Sequence, residues 1–153
     1  MIVTLNNYEM LFCRDLACKR MLSNLSAGVT ERKVGDGDPY EIGLDGVISE
    51  YAFCKARNIF FDCSVEPRSG GYDCVSKDGV RIDIKSVRQK NRGLTIPLKI
   101  KENVDIFVLA HITGNIVNYY AYCRAEDIYK PENIKNIGYG DSYCLPLNAL
   151  KQM

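Results

Sequence analysis

The chain has 153 residues, of which 46% are hydrophobic and 25% are charged, and its formal net charge is +1. These values are typical of one soluble globular domain, and we expect residues 1–153 to form it. No apolar run approaches the roughly 18 residues of a membrane span, and the first residues lack the pattern of a secretory signal, so we expect a cytoplasmic protein without membrane contact.

The first part of the chain predicts two helices. Residues 8–25 carry apolar side chains at helical spacing, and Asn6 or Asn7 can cap this helix. The glycine-rich stretch 35–39, which ends in Asp38-Pro39, is typical of a loop followed by a helix start. It predicts a second helix over 40–57. We therefore divide the domain into an N-terminal helical part, 1–30, and a core, 39–150.

The remaining chain predicts mostly strands. Runs rich in β-branched and aromatic residues, separated by turn residues, indicate strands at 59–61, 72–76, 80–87, 104–110, 116–123 and 143–147. The almost continuous apolar run at 104–110 is typical of a buried central strand, whereas the proline in 143–147 favours an edge strand. A turn is expected at 66–71 and a short helix from 125 to 128. This order predicts an α/β fold with one mixed sheet flanked by helices.

The strand at 80–87 carries the first candidate chemistry. Side chains alternate across a strand, so Arg81, Asp83 and Lys85 share the face opposite to the apolar residues. An aspartate and a lysine two residues apart on one face can contact the same bound group. Many amphipathic strands carry such a pair on their solvated face, so the pair by itself is weak evidence.

The hairpin turn decides whether a second acid joins this pair. A three-residue loop, 77–79, pairs Ser76 with Val80 and places Asp73 opposite Asp83, with β-carbons about 4.5–5.5 Å apart. A two-residue turn at Asp78-Gly79 would instead shift the register by one residue and direct Asp73 to the other face. The longer loop brings two repelling carboxylates together, which favours a bound cation. Ligands that are all oxygen favour Mg²⁺ or Mn²⁺.

Glu50 is the third candidate acid, in the middle of the second predicted helix. Gly43 and Gly46 precede it by seven and four residues, on the same helical face. Because glycine destabilises a helix by up to about 1 kcal/mol, we expect these two to serve a close approach to another backbone, which would bring Glu50 over the sheet. The alternative is a surface glutamate on an amphipathic helix.

A basic segment follows the candidate strand. Residues 81–101 contain seven basic residues and one acidic residue, a local charge of +6. The segment is either a solvated loop or an edge that contacts phosphate groups.

The seven cysteines indicate reduced, buried thiols. Their number is odd and no C-x-x-C pair occurs. A zinc or iron–sulfur site is the alternative, but its close-spaced ligand pairs are missing and His111 is the only histidine.

Together, Glu50, Asp73 and Asp83-Ile84-Lys85 resemble the signature of the PD-(D/E)XK nuclease superfamily, which has the restriction-endonuclease-like fold. That signature is a helical glutamate, an aspartate opening one hairpin strand, and (D/E)-x-K on the next. The strand from Asp105 and the tyrosine-rich strand after it resemble small nucleases of phage and mobile elements. The sequence departs from the pattern at Tyr72, which replaces the motif proline, and at Ser49, where relatives often have glycine.

The resemblance implies a Mg²⁺- or Mn²⁺-dependent deoxyribonuclease without an organic cofactor. Asp73, Asp83 and the Ile84 backbone carbonyl would hold the metal, and Glu50 would bind the metal or its water. Lys85 would position or deprotonate the attacking water, or offset charge on the phosphate. The contacts to the DNA backbone would come from Arg88, Lys90, Arg92, Lys99 and Lys101.

Several properties stay open under this resemblance. Many members of the superfamily act as dimers, so a homodimer is compatible with it, and a phage-encoded protein would work in the host cytoplasm. A module of the same fold that binds nucleic acid but has lost catalysis is the alternative function.

Overall fold

The computed structural model describes residues 1–29, 37–67, 71–138 and 140–153. Helix α1 (Asn7–Ser26) begins after Asn6, whose side chain accepts a hydrogen bond from the Glu9 amide while the Glu9 carboxylate accepts one from the Asn6 amide. Helix α2 (Pro39–Arg57) begins after Asp38, which accepts a hydrogen bond from the Tyr40 amide. The reciprocal cap of α1 and the single side-chain cap of α2 are both local, which is why the two helices were predictable. In the described part of the chain, no helix combines the length and apolar character needed to cross a bilayer.

The strands of the described residues form two sheets. In chain order they are β1 (Ile2–Thr4), β2 (Cys74–Val75), β3 (Arg81–Val87), β4 (Leu94–Pro97), β5 (Ile106–Thr113), β6 (Ile116–Arg124), β7 (Ile134–Asn136), β8 (Asp141–Leu145) and β9 (Lys151–Gln152). A short helix, α3 (Ala125–Ile128), follows β6. The first sheet has the order β1-β6-β5-β3-β2, with β9 against β6, and it is mixed because β3 and β5 run parallel. The predicted α/β class and the central position of β5 are confirmed.

The expectation of a single sheet is wrong. A second, antiparallel sheet has the order β4-β8-β7. Strand β8 therefore lies between two partners and is not an edge strand; Pro146 follows it and does not interrupt it. Strand β4 lies inside the basic segment that was expected to be a loop, and its Leu94 and Ile96 are almost fully buried.

The strand predicted at residues 59–61 is also absent from the structure, which assigns no strand there. Phe61 packs against the rings of Phe12 and Tyr51, with centroid separations of 6.2 and 5.3 Å. Phe61 therefore belongs to an aromatic cluster beside the helices and not to a β-ladder. The predicted turn at 66–71 and the loop at 35–39 lie partly outside the described residues.

The first sheet separates two hydrophobic cores. Ile82 and Ile84 of β3 belong to the core shared with α1 and α2, whereas Phe107 and Leu109 of β5 belong to the core shared with the second sheet and α3. Because side chains alternate along β3, Asp83 lies on the face opposite to the helices. The candidate site therefore lies on the side of the first sheet that the second sheet helps to cover.

Gly93 lies directly before β4, where its backbone packs closely against the end of β8. A β-carbon at this position would lie 2.3 Å from the Leu145 carbonyl oxygen and 3.0 Å from the Pro146 α-carbon. We expect Gly93→Ala to lower the free energy of unfolding by about 2 kcal/mol or more, because backbone must move. Gly43→Ala is the matched control: no atom lies within 4 Å of its added β-carbon, so the helix should gain up to about 1 kcal/mol. Urea denaturation of both variants measures the difference, and equal stabilities would contradict it.

Candidate active site

The hairpin of β2 and β3 has the register of the longer loop. The Ser76 amide donates to the Val80 carbonyl at 2.8 Å, and the Gly79 amide donates to the Ser76 carbonyl at 3.0 Å. Gly79 has a φ of +82°, the left-handed conformation that the three-residue loop requires. Cys74 pairs with Ile82. The two-residue alternative is thereby excluded, and Asp73, one residue before β2, lies across from Asp83.

Asp83 is the buried centre of the site. Its side chain has no exposed surface, and Lys85 Nζ lies 2.5 Å from its Oδ1 while Lys101 Nζ donates to its Oδ2. Within the described part of the chain, Oδ1 accepts no aligned hydrogen bond, so its contact with Lys85 is an ion pair without a directional bond. A carboxylate withdrawn from water needs such cations to stay ionised.

Asp73 has a different environment from Asp83. Its Oδ2 accepts a hydrogen bond from the Ile84 amide at 2.7 Å. Burial, together with the charges of Glu50 and Asp83, raises the pKa of Asp73 to about 7, against the lowering effects of Lys85 and the Ile84 amide. The three predicted acids therefore act on one another electrostatically. One of them, Asp73, titrates near neutral pH.

Glu50 is held by a residue that the sequence analysis missed. Its Oε2 accepts a hydrogen bond from Arg20 of α1 at 3.1 Å, and both side chains are only 12% exposed. Arg20 also donates to the carbonyls of Asp62 and Ser64 and lies over the ring of Phe61. Arg20 thus ties α1 to α2 and to the segment after α2. No local pattern distinguishes it from the other basic residues of α1.

The predicted role of the helix glycines is wrong. Apart from its own helix backbone and within the described residues, a β-carbon on Gly43 would meet no atom within 4 Å, and one on Gly46 would meet only Glu50 Oε1, at 3.7 Å. Neither glycine therefore lies in close contact with the backbone of another described element. Together with Glu50 and Arg20, they line a pocket of about 300 Å³ between the two helices.

Lys85 is a cation in this arrangement. Burial alone lowers the pKa of an ammonium, but the charges of Asp83 and Asp73 outweigh it, and the pKa of Lys85 is raised. Two carboxylates therefore keep the lysine protonated at neutral pH.

The five predicted nucleic-acid residues fall into three groups. Lys90, Arg92 and Lys99 are exposed. Arg88 donates to Asp45 at 2.6 Å and to Glu41 at 2.5 Å, so two acids of α2 offset its charge. Lys101 lies beside Asp83, and its contact with the DNA backbone stays a prediction.

The chemistry of the two aspartates fits a hard divalent cation. Magnesium is commonly held by one or two carboxylates, with water completing its coordination. The Asp73 amide donates to the Ile82 carbonyl, and the Ile84 amide faces the same edge, so the Ile84 carbonyl also points to the edge where Asp73 lies. Asp83 Oδ1 is buried and accepts no aligned hydrogen bond, but the Lys85 ammonium lies against it, so an ion at Asp83 would have to share or replace a lysine contact.

The role of Glu50 as a ligand of the metal or its water stays a prediction, and in the structure its carboxylate accepts a hydrogen bond from Arg20. Among the described residues, no group of three or more histidine, cysteine, aspartate or glutamate side chains is placed to hold a metal ion. The charge of Glu50 raises the pKa of Asp73, while the Glu50 carboxylate forms an ion pair with Arg20. The register of the hairpin therefore brings together the two aspartates and the strand that carries Ile84.

The cysteines follow the prediction in part. All seven are free thiols; Cys13, Cys54, Cys74 and Cys123 are buried, whereas Cys18 and Cys63 are exposed. Burial raises the pKa of Cys13 and of Cys123 to about 12, which suits a packing role.

A scan against protein-family models finds no match to this chain, and a search of curated proteins finds none either. The residues of the hairpin and of α2 therefore carry the functional argument by themselves.

Proposed function

We propose that this protein is a metal-dependent nuclease that hydrolyses DNA phosphodiester bonds, with the restriction-endonuclease-like fold of the PD-(D/E)XK superfamily. One observation carries the proposal: a fully buried aspartate paired with the lysine of its own D-x-K motif, across from a second aspartate with a pKa near 7. Buried acids with strongly shifted pKa values cluster at functional sites. Their repulsion is relieved when a cation binds between them.

Each residue has a defined role in this proposal. Asp73, Asp83 and the Ile84 carbonyl would hold a Mg²⁺ or Mn²⁺ ion, whose chemistry when bound would be the activation of a water for attack on the phosphate. Lys85 stabilises the charge that develops on the phosphate oxygens. Its raised pKa favours this role over deprotonation of the water, which requires a neutral amine. Glu50, oriented by Arg20, adds negative charge near Asp73 and hydrogen-bonds to water on the ion.

The exposed cations provide contacts to the DNA backbone. We expect a variant with Lys90, Arg92 and Lys99 all changed to glutamine to bind DNA more weakly, and its slope of log affinity against log salt to fall by about 2–3. Arg88→Gln is the matched control, because Glu41 and Asp45 already offset that charge, and it should change the slope by less than 1. Fluorescence anisotropy over a salt series measures both. Equal slopes for all proteins would refute this interface.

A cleavage assay tests the proposed activity. The protein is incubated with linear, nicked, branched and single-stranded DNA, with Mg²⁺ or with a chelator. Cutting should require Mg²⁺ and should be lost in Lys85→Ala. Lys77→Ala, an exposed lysine in the turn of the same hairpin, is the matched control and should cut normally. Cutting that survives in Lys85→Ala would rule out the mechanism.

A second function is favoured by one specific observation. Lysines contact both oxygens of Asp83, and Arg20 contacts Glu50, so the protein itself neutralises much of the acidic charge. Such a site suits a DNA-binding module of the same fold that has lost catalysis. Binding that is independent of metal, without cutting of any of the four DNA forms, would support this function over the first.

A further inference from the structure

Lys101 reaches the candidate site from a part of the chain that the D-x-K motif does not include. It follows β4, and its Nζ donates to Asp83 Oδ2 and, at 2.9 Å, to the Gly71 carbonyl. Its amide donates to the hydroxyl of Tyr129 at 3.1 Å. The Tyr129 ring packs edge-on against Phe107, with a centroid distance of 5.8 Å. The backbone of Lys101 is therefore anchored to the core, while its side chain lies beside the acids.

Asp83 has no spare oxygen while both lysines are in place. Its Oδ1 contacts Lys85 and its Oδ2 contacts Lys101, and no part of the side chain is exposed. A divalent ion that binds Asp83 must therefore displace an ammonium group or share an oxygen with one. Two cations at one carboxylate oxygen repel each other, so binding of the ion and contact by the lysine oppose each other.

Lys101 is the lysine better placed to give way. Lys85 lies on β3, two residues from Asp83, and a rigid ladder with β5 holds it on the same face. Lys101 lies outside the strands, so no β-ladder holds its backbone in place. Its side chain is 25% exposed and that of Lys85 is 30% exposed, so exposure does not separate the two lysines, but the Lys101 ammonium can move into water. Long lysine side chains reach solvent readily from a buried stem.

We propose that Lys101 is a built-in competitor of the divalent ion: its ammonium group occupies Asp83 Oδ2 before metal binds and leaves that oxygen when the ion arrives. This inference rests on the proposed function, because it concerns the same carboxylate. It assigns to Lys101 control of metal affinity, in place of the contact with the DNA backbone expected from its position in the basic segment.

The test measures metal binding without DNA. Mn²⁺ alone is titrated calorimetrically into the wild type and into Lys101→Met, which keeps the length of the side chain and removes its charge. We expect Lys101→Met to bind Mn²⁺ about tenfold more tightly, the order of effect for one charge at contact distance under partial screening. Lys101→Arg keeps the charge and should remain within about twofold of the wild type.

Two controls separate this inference from the proposed function. Lys99→Met removes an exposed charge two residues away and should change the affinity less than twofold. Asp83→Asn reports whether the measured binding uses this site. If the wild type binds Mn²⁺ through Asp83 but Lys101→Met binds equally or more weakly, the competition is refuted and the metal site stands. If neither the wild type nor Lys101→Met binds Mn²⁺ through Asp83, the metal site and the competition are both refuted.

Discussion

Replacing Asp83 with asparagine is expected to abolish metal-dependent DNA cleavage, with a fall in kcat of at least about 10²–10³-fold. The substitution keeps the shape of the side chain but removes the charge that binds the ion and holds two lysines. The loss of kcat should exceed the loss in Lys85→Ala, because Asp83→Asn removes a proposed metal ligand and also leaves Lys85 without its carboxylate partner. Single-turnover cleavage at saturating Mg²⁺ measures the effect on chemistry without product release.

Asp78→Asn is the matched control for this experiment. Asp78 is an exposed aspartate in the turn of the same hairpin, so its replacement changes the net charge of the protein equally and leaves the site intact. We expect its kcat to stay within about twofold of the wild type, the usual range for a surface substitution. An Asp83→Asn protein that is folded and retains a tenth of the wild-type rate would eliminate Asp83 as a metal ligand.

Without divalent ions, asparagine at the two aspartate positions is expected to change stability in opposite directions. At pH 8 we expect Asp73→Asn to raise the free energy of unfolding by about 2 kcal/mol, because it removes a partly buried charge that Glu50 and Asp83 repel. Asp83→Asn should lower it by about 3–5 kcal/mol, because two partly buried lysines lose their shared carboxylate. Urea denaturation in the presence of a chelator measures both values.

The effect at Asp73 should depend on pH in one direction. The pKa of Asp73 is raised to about 7 in the folded protein, from the ordinary aspartate value of 3.8, so the folded state retains this proton to a higher pH. The stabilising effect of that proton is complete below about pH 4 and is lost as the pH rises to about 7. The advantage of Asp73→Asn should accordingly be small near pH 4 and constant above pH 7. A variant that is less stable than the wild type at pH 8 would contradict the assigned environment.

These opposite signs bear on function as well as on stability. A residue whose removal stabilises a protein is kept for another reason, and active sites commonly retain such residues. Asp73 fits that description, because its ionised form is unfavourable in the absence of a cation. Asp83 would be retained on structural grounds alone, since Lys85 and Lys101 both depend on it.

The sequence by itself determined the features that depend on a few neighbouring residues. The capped starts of both helices follow from Asn6 and Asp38, and the hairpin itself follows from Gly79, although its register stayed open between two turns until the structure showed the longer loop. The alternation of β3 then placed Asp83 and Lys85 on one face. Caps, turns and side-chain alternation act over five residues or fewer, so a single sequence is enough to predict them.

Only the tertiary structure decided the contacts between residues distant in the chain. Arg20 meets Glu50 across 30 positions, and Lys101 meets Asp83 across 18. The second sheet pairs Leu94 with Leu145. Such contacts depend on how helices and sheets pack, and an exposed lysine has the same local sequence signal as one that holds a buried carboxylate. For this reason the acids of the candidate site could be predicted, whereas the cations that hold Glu50 and Asp83 could not.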